Sequence, residues 1–139
     1  MKQELVSALG RVFLTIEDDP RNRWIHVDWR GYLTFFNDTA TTEIYTEALA
    51  KSGYQAVLND TRSVVGPWDH SMEWVINEWT PNAAAAGLRH FAMITTPESM
   101  ADQSAATFYA QLKAFEAKVF DDIEPARAWL AERVRQSRA

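Results

Sequence analysis

A short, wholly apolar run, Ala56-Val57-Leu58, breaks abruptly into Asn59-Asp60-Thr61-Arg62. An apolar run without polar alternation marks a strand covered on both faces, which is the habit of a parallel sheet. Gly66-Pro67-Trp68 then reads as a loop, and from Asp69 the period changes. Met72, Val75, Ile76 and Trp79 recur at i, i+3, i+4 and i+7, one apolar stripe of a helix. Asp69 suits its N-cap, and Glu73 suits its positive end. In open α/β sheets, ligands and partners meet the carboxyl ends of strands. The stretch from Val57 to Pro81 therefore marks where function sits. Asp60, Thr61 and Arg62 are candidates at a strand end, with Trp68 as the wall of a pocket. A surface pair between Asp60 and Arg62 is the plainer reading of the same residues.

The rest of the chain fits around that unit. Arg11 to Glu17 alternates, with Val12, Leu14 and Ile16 on one side; Trp24 to Trp29 alternates again. The breaker-rich Glu17–Asn22 turn joins them into an antiparallel hairpin, closed by Gly31. Asn37 to Lys51 carries the helical stripe Ile44, Tyr45, Ala48 and Leu49, with Gly53 as its stop. Its threonines argue against a helix, but the stripe predicts one. Asn37–Thr46 also reads like the translation of a common sequencing-adapter oligonucleotide, and no function is hung on it. Pro81 interrupts or ends the second helix, Ala83–Ala86 add a turn, and Gly87 terminates it. Phe91–Ile94 is a buried strand. Ala101, Ala105, Phe108, Leu112 and Phe115 make a helix, and Lys118–Phe120 a short last strand. Asp121 or Asp122 caps a final helix whose stripe is Ile123, Ala126, Trp129, Leu130 and Val134. The order β-β-α-β-α-β-α-β-α predicts one α/β domain spanning 1–139. It would have about five strands, mostly parallel, a leading β-hairpin, and about four helices on both faces.

Several function classes are disfavoured. Net charge is −5, and basic residues gather only at Arg133, Arg135 and Arg138, which argues against a nucleic-acid surface. The absence of cysteine removes thiolate chemistry and fits a reducing compartment. No apolar run approaches a membrane span, and Met1 to Gly10 lacks a signal-peptide core, so the expectation is a soluble, cytoplasmic protein. Asp69, His70 and Ser71 have the residue types of a hydrolytic triad, but adjacent helical residues do not point at one another. His70 and Glu73, with Asp60, match no known metal-ligand spacing. No catalytic residue, metal or cofactor is expected.

Several motifs together resemble one family: Trp29-x-Gly31, Leu58-Asn59-Asp60-Thr61-Arg62, Gly66-x-Trp68, Glu78-Trp79-x-Pro81 with Ala86-Gly87-Leu88, and Phe120-Asp121 followed by Ala128-Trp129-Leu130. From about Arg11 to Glu132 the chain is similar to the small SpoIIAA-like, or STAS-like, bacterial proteins. The resemblance implies their α/β fold and a non-enzymatic regulatory or protein-binding module that switches a partner. Relatives that antagonise anti-sigma factors are switched by phosphorylating a serine in an Asp-Ser-Ser pattern. The matching place here reads Asp69-His70-Ser71, which makes Ser71 the switch candidate and departs from the pattern at His70. Other related folds hold lipids or nucleotides, so a carrier or sensor of a small lipid or anionic metabolite is the alternative. A last candidate is Trp74. Helical rotation places it about 200° from Met72, opposite the apolar stripe. The expectation is an exposed anchor, flanked by His70, Asn77 and Glu78, for a homodimer or partner contact.

Overall fold

The computed structural model describes residues 2–7, 9–33 and 35–138, with side chains described for the same residues except 35–40 and 138. Six strands form one sheet: β1 (Lys2–Val6), β2 (Val12–Asp19), β3 (Trp24–Gly31), β4 (Ala56–Val64), β5 (His90–Ile94) and β6 (Glu116–Phe120). Their order in the sheet is their order in the chain. β1, β2 and β3 pair antiparallel, and β3 to β6 pair parallel. The expected hairpin is β2–β3, with Leu14 opposite Trp29 and Asp19 opposite Trp24. β1 was not expected. Its mixed Lys2-Gln3-Glu4 start hides a strand that pairs along one edge only.

Four helical segments complete the fold among the described residues. α1 is Phe35–Ser52, α3 is Met100–Gln111 and α4 is Ile123–Arg138. α2 is a composite that runs without a break through a 3-10 turn (Asp69–Ser71), an α turn (Met72–Trp74), a π turn (Val75–Trp79) and a last α segment (Thr80–Ala85). Pro81 does not end this helix but sits in the first turn of its last segment, where a missing N–H does little harm. In the π turn the Thr80 N–H reaches back to the Val75 carbonyl, and the Thr80 hydroxyl donates to the same oxygen at 2.9 Å.

Topology decides which face each helix covers. Every parallel step moves to the next strand in one direction, so right-handed crossovers place α1, α2 and α3 on the same face. Only α4, after the last strand, covers the other. The core divides accordingly. Ile25, Val27, Val57, Phe91 and Met93 pack with Tyr45, Leu49, Met72, Trp79 and Phe108 under the three-helix layer. Trp24, Leu58, Ala92 and Ile94 pack with Ala126 and Leu130 of α4. This split follows from the strand period of two, which sends neighbouring residues to opposite faces.

Two local expectations are corrected. β4 does not end at Leu58; it continues to Val64, and Asn59, Asp60 and Thr61 are buried inside it. Polar residues survive there because each is hydrogen-bonded. Asp69 is not the N-cap of α2. Trp68 holds that position with no side-chain bond, and Asp69 instead accepts from the Ser104 hydroxyl of α3 at 2.6 Å.

Candidate functional site

Between the sheet and the three-helix layer lies a half-open pocket of about 80 Å³. β3, β4 and β5 supply one wall through Trp29, Asn59, Thr61, Phe91 and Met93. The helical side supplies Tyr45 from α1, Trp68, then Val75 and Trp79 of the π turn, and Phe108 of α3. Leu33 and Thr42 complete it. A water needs roughly 10–15 Å³ measured this way, so the space suits a few waters or a small organic molecule. Trp79 is the hub of the aromatic wall. Its ring lies 5.4 Å from Tyr45 and 5.5 Å from Phe91, centroid to centroid, at the angles aromatic pairs prefer. The π turn matters here because one widened turn carries both Val75 and Trp79 into the lining. Such turns recur at functional sites.

The polar part of the wall is Asn59. Its Oδ1 accepts from the Trp29 indole N–H and from the Tyr45 hydroxyl, each at 3.0 Å. These donors pin the amide, and the three side chains brace β3, β4 and α1 together. Tyr45 is wholly buried, and that desolvation holds its phenol protonated well above the ordinary range. Next along the strand, the Thr61 hydroxyl donates to the Ile94 carbonyl at 2.8 Å. Trp68 is fixed through its backbone N–H, which donates to Ser104 Oγ at 3.1 Å, and its ring lies tilted against Phe108, 5.9 Å between centroids.

The candidates read from the sequence divide between two places. Thr61 and Trp68 meet in the pocket. Asp60 and Arg62 do not join them, because alternation along β4 turns them to the opposite side of the sheet. There the Arg62 guanidinium grips the Asp60 carboxylate through both oxygens, with Nη2 to Oδ2 at 2.7 Å. Asp60, and beyond it Asp122 and Asp28, hold Arg62 more firmly protonated than usual. This is the plainer reading of that pair, and the four-residue strand-end pocket is corrected to its Thr61–Trp68 half. Asp69 and His70 are exposed, whereas the Ser71 side chain is completely buried. A kinase cannot reach a serine so placed without the helix start opening. Trp74 is not exposed either. It is half-buried and packs against the main core, while Asn77 and Glu78 beside it face solvent. Among the described residues, no group of three carboxylate or imidazole side chains could hold a metal ion, and no helix is long and apolar enough to cross a membrane.

Asn59, Tyr45, Trp29 and Trp79 were not among the candidates. The aromatics read as core, and they are core; only the gap between them makes a site. Asn59 had a usable signal, a lone amide following an apolar strand run with nothing local to bond.

No protein-family model matches the chain, and no curated protein does. Among solved structures, the chain is similar to an uncharacterised protein of the DUF3478 family with a SpoIIAA-like fold from Shewanella loihica PV-4. The two are 24% identical, with a TM-score of 0.59, over 84% of this chain and 91% of the other. The fold is thus SpoIIAA-like, a mixed α/β sheet with a leading hairpin.

Proposed function

We propose that this protein is a non-enzymatic binding module, a carrier or sensor that holds a small apolar molecule between its sheet and its three-helix layer. The observation that carries this reading is the half-open, aromatic-walled pocket of about 80 Å³. Ligand sites are typically concave, largely apolar and marked by a few fixed polar groups, and the Trp29–Asn59–Tyr45 trio is such a group. The lining chemistry holds rather than reacts. Among the described lining residues the one acidic proton, on Tyr45, is donated to Asn59 and kept in place by burial. The partner-switching reading has less support, because Ser71 is buried and Trp74 is half-buried against the core. An anionic metabolite also fits poorly, since the lining is aromatic, aliphatic, hydroxyl and amide in character. An unpaired buried charge costs several kcal/mol.

The test pairs the protein with a plugged variant. Val75 lines the pocket and is only half-buried, so Val75→Phe puts a ring into the void. Cyclopentane titrated into the native protein should raise its melting temperature by mass action. The variant should melt at the same or a higher temperature without ligand and should not respond to cyclopentane. No response from the native protein, or an equal response from both, overturns the reading.

A further inference from the structure

Among the described residues, three buried side-chain polar atoms have no hydrogen-bond partner, the indole nitrogens of Trp24, Trp68 and Trp79. Two of the three belong to the wall of one pocket. Trp68 and Trp79 flank Phe108 there, at 5.9 and 6.4 Å between ring centroids. A buried donor left unpaired costs free energy, so native proteins seldom tolerate one, and two beside one cavity call for an explanation. The rest of the polar wall leans the same way. Asn59 Oδ1 is filled by two donors, so what that side chain has left to offer is its N–H2 group. The Thr61 hydroxyl proton is already given to the Ile94 carbonyl. The side chains behind the wall therefore hold hydrogen-bond donors in excess, although the surface open to the cavity is almost wholly apolar, and the described lining residues include no ammonium, guanidinium or imidazolium to neutralise an anion.

Resting on the reading that this pocket binds a small molecule, we infer that its ligand is a neutral, compact, mainly apolar compound carrying a hydrogen-bond acceptor, of the ketone, aldehyde or ester class, and that Trp68 and Trp79 donate to it. Both indole nitrogens are covered in the half-open pocket, so donation to a carbonyl requires the aromatic wall to part as the ligand enters. Val75 and Trp79 lie on the π turn, whose geometry departs from the regular helix, and such turns recur at functional sites.

The experiment compares three probes built on one five-membered ring, cyclopentane, cyclopentanone and cyclopentanecarboxylate, by titration followed in the ¹H–¹⁵N spectrum of the full chain. Indole N–H signals are separate from the amides, and Trp68→Phe and Trp79→Phe assign them while keeping the aromatic packing. Cyclopentanone should bind at least several-fold more tightly than cyclopentane, move the Trp68 or Trp79 indole signal downfield, and outcompete the carboxylate. Each Phe variant that removes a bonded donor should weaken cyclopentanone roughly three- to tenfold more than it weakens cyclopentane, so that the ratio of the two affinities, and not either alone, reports the lost donor. If cyclopentane binds as well as cyclopentanone, or the ketone binds without moving either signal, the pocket reading stands and the assignment of ligand class fails. If the carboxylate binds best, the class is likewise wrong. If none of the three binds, both fail.

Discussion

Asn59 is the residue on which the pocket's shape depends most. It is the shared acceptor of two buried donors on two other elements. Asn59→Leu keeps its bulk but strands the Trp29 and Tyr45 donors, and should cost about 2–5 kcal/mol in urea denaturation. Tyr45→Phe removes one donor and leaves Asn59 with the other, so it should cost only about 0.5–1.5 kcal/mol. Equal costs would mean that the trio is not organised around the amide. Tyr45 also gives a pH signature. Its folded pKa is raised by burial above the ordinary phenol value. Its contribution is therefore complete below about pH 10, the unfolded value, and is lost as pH rises beyond it. The alkaline decline in stability should be shallower in Tyr45→Phe; an identical decline would contradict this. Asn59 was legible only as the point where an apolar run turned polar. That Trp29 and Tyr45 converge on it depends on the β3–β4 register and the seat of α1, which sequence spacing does not contain.

At the scale of the element, α2 departs most from expectation, and Trp74 shows why. The stripe Met72, Val75, Ile76 and Trp79 does face the core, with Met72 and Trp79 buried. The inference that the opposite side meets solvent assumed regular helical rotation and one covered face. Instead the helix passes through a π turn, and α1 packs against both its first turn and its last segment. A helix within a layer has its flanks covered as well as its inward stripe, so a large side chain there is drawn in. Trp74→Ala should accordingly lower stability by about 1–3 kcal/mol, less than the 3–5 kcal/mol typical of a fully buried ring. Sedimentation of the variant should match that of the native protein. Unchanged stability together with lost self-association would restore the interface that the structure disfavours. The other elements were more legible, because period-2 and period-3.6 patterns report burial directly. β3, β5 and α4 lie where those patterns put them.

In the whole molecule, one sheet separates two unlike sides. The three-helix side contains the pocket, and the single-helix side carries the Asp60–Arg62 pair. The alternation of strands and helices announced a mainly parallel sheet. It did not announce the sequential strand order, since nothing local in a strand says which neighbour it will choose. That order gathers α1, α2 and α3 on one face, where aromatic side chains from the helical layer and from β3 and β5 fail to close completely. The central claim is that this gap is a true binding cavity, which diffraction from crystals held under xenon pressure tests most directly, because xenon enters apolar cavities and scatters strongly. A xenon peak bounded by Val75, Trp79, Phe91 and Phe108, absent in Val75→Phe, is the result predicted. Native crystals in which those side chains meet and no xenon lies among them would contradict it.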